Sequence, residues 1–279
     1  MTIRIRIGGY NSTLENRHYT GPPLSATRLP VSLTIITLNA AAQLEACIAS
    51  APFVDEVLVV DSGSKDGTVE LAERLGARVV QQVWLGYGRQ KQFAVDAAKN
   101  DWVLCLDADE RLSSVLRTHL EAALSAPDAK AYRFARCNRF LGRFLRHGEG
   151  YPDWSLRLFD RRVACWSTDP VHEKVVTATP VQTVAGDLIH DSAETLQSYL
   201  SKQNRYTSLA AEQAFAAGKR SSFGRLVFSP LLRFLKFYLL RQGFRDGVPG
   251  LIHIWIGCCN SFLKHAKLIE LARQQVATR

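Results

Sequence analysis

A chain of 279 residues with 47% hydrophobic content is long enough for one large domain, or for a domain with an appendage. Its six cysteines (Cys47, Cys105, Cys137, Cys165, Cys258 and Cys259) make no Cys-x-x-Cys pair and no zinc spacing, which excludes a zinc module and points to small buried thiols in a reducing compartment. The formal charge of +9 lies wholly in the last third: residues 1–191 hold 22 basic and 22 acidic side chains and residues 192–279 hold 13 and 4, so the neutral part argues against a nucleic-acid groove.

Residues 1–30 contain Gly8-Gly9 and Gly21-Pro22-Pro23 without a sustained period, and read as a loosely ordered leader. The alternation from Met1 to Ile7 has no long apolar core, so a secretory signal is not expected. Val31–Leu38 is β-branched and predicts the first strand. Asn39 is placed to cap a helix carrying Leu44 and Ile48 on one face. Glu56–Val60 predicts the second strand, followed by the turn Asp61-Ser-Gly-Ser-Lys-Asp66-Gly67-Thr68. A helix with Val69, Ala72 and Leu75 inward stops at Gly76, and Ala77–Val83 predicts the third strand. Gly86–Asn100 reads as a glycine-entered helix, and residues 102–106 as a fourth strand, apolar on both faces. This alternation predicts a mostly parallel α/β sheet flanked by helices.

The pattern then changes. A helix over Ser113–Leu124 is followed by short strands at Tyr132–Arg136, Leu156–Phe159, Val163–Trp166, Val175–Thr177 and Thr183–Ile189. No crossover helices separate them, so the second half is expected to be mixed or antiparallel. From Ser192 onward the chain reads as helical, ending in the apolar-basic stretches Leu226–Leu240 and Leu251–Leu271. Basic residues interrupt Leu, Phe and Tyr there, which suits a helix lying on an anionic membrane surface better than one crossing it. The plain alternative is a solvated basic face.

The stretch Asp101-Trp-Val-Leu-Cys-Leu-Asp107-Ala-Asp109-Glu110 runs a buried strand into three acids. Asp-x-Asp at a strand's carboxyl end can hold Mg²⁺ or Mn²⁺ against a diphosphate. It can equally open an acidic helix, with Glu110 and Ser113 in the first turn. Thr37-Leu-Asn39 and Asp61 leave the same edge, where a carboxylate can accept from a ribose or a base.

Together ITLNA, VVDSGSKDGT, GYGRQKQ and DWVLCLDADE resemble the nucleotide-sugar-binding half of glycosyltransferase family 2, which has a GT-A fold. YPDWSLRLFD, DPVHEK, LIHDS and GFRDGVPG resemble its bacterial lipopolysaccharide-core β-1,4-glucosyltransferases, extending the likeness over almost everything from residue 31. The resemblance implies a catalytic domain over 31–191, with a nucleotide-sugar half (31–112) and an acceptor half (113–191), and a basic tail over 192–279. It implies that Thr37, Asn39 and Asp61 line the nucleoside pocket. Asp107 and Asp109 would form the metal-diphosphate motif, with Asp109 the direct ligand, and Lys91 would keep a cation nearby. Many relatives carry Arg-Asn where this chain has Lys91-Gln92. The implied reaction inverts the anomeric centre of a UDP- or GDP-linked hexose. UDP-glucose is the expected donor, and a lipopolysaccharide inner-core saccharide, or another lipid-linked or envelope glycan, the acceptor. The implied location is the cytoplasmic face of the inner membrane.

Inversion needs a carboxylate base outside the metal motif. Glu173 matches the subgroup's His-Glu pair, and Asp153 is the second candidate, in a Tyr151-Pro-Asp-Trp154 acceptor wall. Asp160, Asp169, Asp187 and Asp191 are the remaining choices. His172 and His190 read either as structural residues or as further metal ligands, His190 the better placed. Arg157 and Arg161 can grip an acceptor phosphate or form surface pairs. A sugar nucleotidyltransferase is disfavoured, because no glycine-rich phosphate loop follows the first strand. A non-catalytic binder of anionic lipid or nucleic acid would rest on the tail's charge alone.

Overall fold

The computed structural model describes residues 28–169, 173–192 and 195–277; residues 1–27 of the expected leader, and His172, lie outside them. The first part alternates strictly: β1 (Leu29–Thr37), α1 (Ala41–Ala49), β2 (Val54–Asp61), α2 (Thr68–Arg74), β3 (Arg78–Gln81), α3 (Tyr87–Ala97) and β4 (Trp102–Asp107). Then come β5 (Glu110–Leu112), α4 (Ser114–Ser125), β6 (Ala131–Phe140), β7 (Arg143–Phe144), β8 (Asp153–Asp160), β9 (Ala164–Trp166), β10 (Val175–Thr177) and β11 (Val181–His190). The tail holds α5 (Leu196–Ala216), α6 (Phe223–Phe234), a π-helical turn (Leu235–Leu240), a 3-10 turn (Gly243–Asp246) and α7 (Gly247–Ala277).

Among the described residues, one nine-stranded sheet has the order β3-β2-β1-β4-β8-β6-β11-β5, with β7 paired to β6, and β9 and β10 form a separate pair. β3, β2, β1 and β4 are mutually parallel. β8 runs antiparallel to both β4 and β6, and β11 runs parallel to β6, so the second half is mixed as the sequence pattern predicts. Alternation along β4 explains its wholly apolar interior. Leu104 and Leu106 pack with Leu33, Ile35, Leu44 and Leu116 on one face. Val103 and Cys105 pack with Leu58, Val60, Ala94 and Phe159 on the other.

Two sequence expectations need correction. Glu110 does not open a helix: it starts β5, almost fully buried, and α4 begins at Ser114 with Ser113 capping the Leu116 N–H. Asn39 does not cap α1, because its left-handed backbone (φ 54°) turns its side chain to the next loop. The first amides of α1 are met instead from that loop, Ala40 by Thr68 Oγ1 and Ala41 by Asp66 Oδ2. In the tail, α5 and α6 both pack on α7. No helix among the described residues is long and apolar enough to cross a membrane.

Candidate active site

The carboxyl ends of β1, β2 and β4 lie side by side, with Thr37 in register with Asp61 and Ile36 with Asp107. Asp61 is completely buried. Its Oδ1 accepts from the Gly63 and Ser64 amides, both at 2.9 Å, and its Oδ2 from Thr37 Oγ1 at 2.9 Å and from Ser64 Oγ. Burial raises its carboxyl, but these donors, led by Ser64, outweigh that and hold it below the ordinary range. Asp61 is therefore an ionised brace with all its lone-pair directions filled, and a nucleoside donor would have to exchange with Ser64. Asn39 Oδ1 accepts from the Lys65 amide at 2.9 Å, and Ser64 Oγ from the Asn39 amide at 2.8 Å, which laces the two loops together.

At the end of β4, Asp107 is enclosed by cations. Lys91 Nζ lies 2.9 Å from its Oδ1, and an Arg157 terminal nitrogen 2.9 Å from its Oδ2. Arg157 also meets Glu110 Oε1 at 2.8 Å, and Arg136 reaches the same oxygen at 3.4 Å. Glu110 Oε2 accepts the Asp107 amide at 3.0 Å. Burial pushes the Asp107 carboxyl up, yet Lys91 and then Arg157 hold it well below the usual carboxylate range. Trp166 closes the cluster, with the Lys91 ammonium 4.8 Å and the Arg157 guanidinium 5.5 Å from its ring. The sequence spacing delivers Lys91 from α3, whose neighbour Gln92 accepts the Trp166 amide at 2.7 Å. Gly88 permits this packing: a Cβ there would strike the Ser167 carbonyl oxygen and press on Glu173.

Asp109 faces a different partner. His190 Nε2 lies 3.2 Å from its Oδ2, and His190 Nδ1 lies 2.7 Å from Asn138 Oδ1. The Asn138 amide nitrogen donates to Asp153 Oδ2 at 3.3 Å, which fixes Oδ1 toward the histidine. With Nδ1 against that carbonyl, the Nε2 end of the ring is turned to the Asp109 carboxylate. A histidine held by a carbonyl at one nitrogen, with a carboxylate beside the other, is a pair that a divalent ion could take up in place of the direct contact. Among the described residues no three His, Cys, Asp or Glu side chains form a ready metal cage. Asp109 and His190 could hold such an ion, while Asp107 meets Lys91 and Arg157.

Glu173 stands 3.7 Å from Lys91 Nζ, on the same cleft of about 460 Å³ as Asp107, Asp153, Trp154 and Arg157. Asp153 is held by Arg136 through two nitrogens, at 2.7 and 2.9 Å, both on Oδ2. A second cleft, of about 950 Å³, shares Arg136 and Asp153 with the first and runs past His190 and Asn138 to Tyr199 and His253 in the tail. Trp154 is half exposed beneath the Arg133 guanidinium, whereas Tyr151 is tied through its hydroxyl to Asp187. Asp187, Asp160 and Asp191 are paired with Arg146, Arg162 and Arg139, and Asp169 is exposed. Neither Arg157 nor Arg161 is placed to grip a phosphate at the surface. Arg157 is buried in the charge cluster, and Arg161 donates to the Val95 and Ala98 carbonyls at the end of α3.

The model for "Glycosyl transferase family 2" matches residues 32–177, over half of the chain. The chain belongs to glycosyltransferase family 2. "Lipopolysaccharide core biosynthesis glycosyltransferase LpsC" of Rhizobium meliloti (strain 1021) is 33% identical over 264 residues, covering 87% of this chain and 93% of that protein. An uncharacterized glycosyltransferase of Rickettsia bellii (strain RML369-C) is 32% identical over 88% of this chain and 87% of its own length. Among solved structures, mannosyltransferase PcManGT from Pyrobaculum calidifontis, in complex with GDP-Man and Mn²⁺, is 17% identical with a TM-score of 0.47, covering 94% of this chain and 91% of that one. The mixed sheet flanked by helices is the family's GT-A-like fold, and this glycosyltransferase carries its C-terminal helices beside it.

Sequence reasoning missed Arg136, Asn138, Trp166 and the inward role of Glu110. Arg136 and Asn138 alternate along β6 and so share a face, and their opposite numbers in the sheet are Asp153 and His190. That period was readable; the partners were not, because they lie 17 and 52 residues away.

Proposed function

We propose that this family 2 enzyme transfers a hexose, with glucose from UDP-glucose as first choice, to a lipopolysaccharide inner-core saccharide, inverting the anomeric centre in a metal-dependent reaction at the inner face of the inner membrane. The observation that carries this reading is the contact of Asp109 Oδ2 with His190 Nε2, 3.2 Å apart at the carboxyl end of the sheet. The name of the LpsC relative supports the acceptor class. Asp109 and His190 would hold Mg²⁺ or Mn²⁺, which when bound supplies positive charge to the leaving diphosphate. Lys91 keeps a further cation beside that diphosphate, fixed by Asp107 and the Trp166 face. Thr37, Asn39 and Asp61 shape the nucleoside end of the crevice. Glu173 takes the proton from the acceptor hydroxyl as its oxygen bonds to the anomeric carbon and the bond to the diphosphate breaks. Asp153, turned to Arg136 and Asn138, aligns the wall that the acceptor meets. The C-terminal region brings the enzyme to a lipid-linked acceptor at an anionic membrane surface.

Release of UDP from UDP-glucose, measured with a truncated core lipid as acceptor, tests the reading. Transfer with Mn²⁺ present, reduced about 10²–10⁴-fold by Glu173→Gln, is the expected result. Transfer only from a different donor class, or an undiminished rate in Glu173→Gln, contradicts it.

A further inference from the structure

α6 and the π-helical turn are built inside out. Phe228, Leu231, Leu232, Leu235 and Leu239 follow helical spacing on the outward face, and Leu232 and Leu240 are 64% and 80% exposed. No residue of α6 is buried. Two polar side chains of the same helix point inward: Arg233 pairs with Glu149, and Ser229 bonds Ser261 at 2.7 Å. Trp255 of α7 and Phe244 of the 3-10 turn, both exposed, extend the ridge through ring contacts with Phe234 and Tyr238. An apolar surface this continuous calls for a partner.

The charge says which one. Residues 213–245 contain seven basic residues and no acid. Arg220, Arg225, Arg241 and Arg245 donate to backbone or amide oxygens, so their charges are not neutralised by those bonds. A second copy of the same ridge would bring like charges together, whereas an anionic bilayer meets both the cations and the apolar stripe. We propose that α6 and the π-helical turn form an interfacial helix lying in the headgroup layer of an anionic bilayer, with Phe228, Leu232 and Leu239 inserted. This deepens the membrane part of the reading above.

The ridge is fixed to the loop that leads into the site. Besides the Arg233–Glu149 pair, Arg241 donates to the Tyr151 carbonyl at 2.8 Å, and its own carbonyl accepts the Gly148 amide at 2.8 Å. Asp246, buried in the 3-10 turn, accepts the Arg146 and His147 amides at 2.9 and 2.8 Å and meets His147 Nδ1 at 2.9 Å. That loop runs straight into Asp153 at the start of β8. Docking thus holds the clefts at a set height and tilt over the lipid.

Flotation of the full chain with phosphatidylcholine vesicles, with and without 30% phosphatidylglycerol, tests the proposal. Binding to the anionic vesicles that weakens with salt is expected, with at least a tenfold loss in Leu232→Glu/Leu239→Glu, both exposed positions, at unchanged circular dichroism. Arg225→Gln/Lys236→Gln keeps the stripe and should lower anionic-vesicle binding roughly thirtyfold. The stripe variant should also transfer sugar normally to a water-soluble acceptor while failing on vesicle-embedded lipid. Loss of transfer to every acceptor by the unaltered enzyme would sink the reaction, not this inference, which the flotation reads directly. Equal flotation of both proteins, no flotation at any salt, or a dimer that the stripe variant dissolves overturns it.

Discussion

The carboxyl end of β4 and the outer face of α6 treat charge in opposite ways. Around Asp107 the chain buries Lys91, Arg157 and Glu110 and pairs each of them. Along α6 it exposes leucines, and among the described residues its outward cation, Arg225, bonds a backbone carbonyl, whereas the inward Arg233 meets Glu149. A buried cation is retained only when it is compensated, so the first arrangement fixes geometry. Exposed cations above an apolar stripe are uncompensated until something anionic arrives. One region pairs its charges within the chain, and the other is arranged for a partner.

The largest stability difference should appear when one cation is removed from each region. Arg157→Met leaves Asp107 with Lys91 alone and buried Glu110 with only the longer Arg136 contact, and should cost about 3–5 kcal/mol in urea unfolding. Lys236→Gln removes the same charge from the exposed helix and should stay within about 0.5 kcal/mol. Similar losses in both would erase the distinction. A smaller effect is expected at Asp160, at the far end of β8. Hydrogen bonds from Arg162 outweigh the upward pull of burial, and with Lys130 they hold this carboxyl down at about 2, against 3.8 for the ordinary group. A depressed carboxyl stabilises fully above the unfolded value, and the contribution disappears as pH falls through about 2. Because Arg162 and Lys130 are half exposed, Asp160→Asn should cost only about 1 kcal/mol at pH 7. Thermal unfolding should show the variant and the parent converging near pH 2; a constant gap would assign the loss to packing.

The sheet was legible because its signals are local. Apolar runs of strand length, punctuated by glycine and polar turns, place β1 to β4 within two or three residues, and the acids at their ends fall on one edge by topology alone. The site's inner wiring was not. Glu110 carries the signature of a helix start, yet its partners are Arg157 and Arg136, 47 and 26 residues away, and no local pattern encodes them. Asn39 is a common capping residue, but a positive φ redirected it. Arg157 gave a usable hint: a charge set between the apolar Leu156 and Leu158 of a strand must be paired where it is buried. The tail's basic-apolar composition was plain, but which side faces outward depended on where Arg233 found Glu149.

The central claim is that Asp109 and His190 receive the donor's diphosphate through a divalent ion. Thermal unfolding of the unaltered enzyme and of Asp109→Asn, each with UDP-glucose and with or without Mn²⁺, tests it most directly. The unaltered enzyme should be stabilised by metal and UDP-glucose together, by about 2.7 kcal/mol at a hundredfold excess over Kd, and Asp109→Asn should lose the metal-dependent part while folding normally. Equal stabilisation of the two proteins, or stabilisation of the unaltered enzyme that is the same without metal, would contradict the claim.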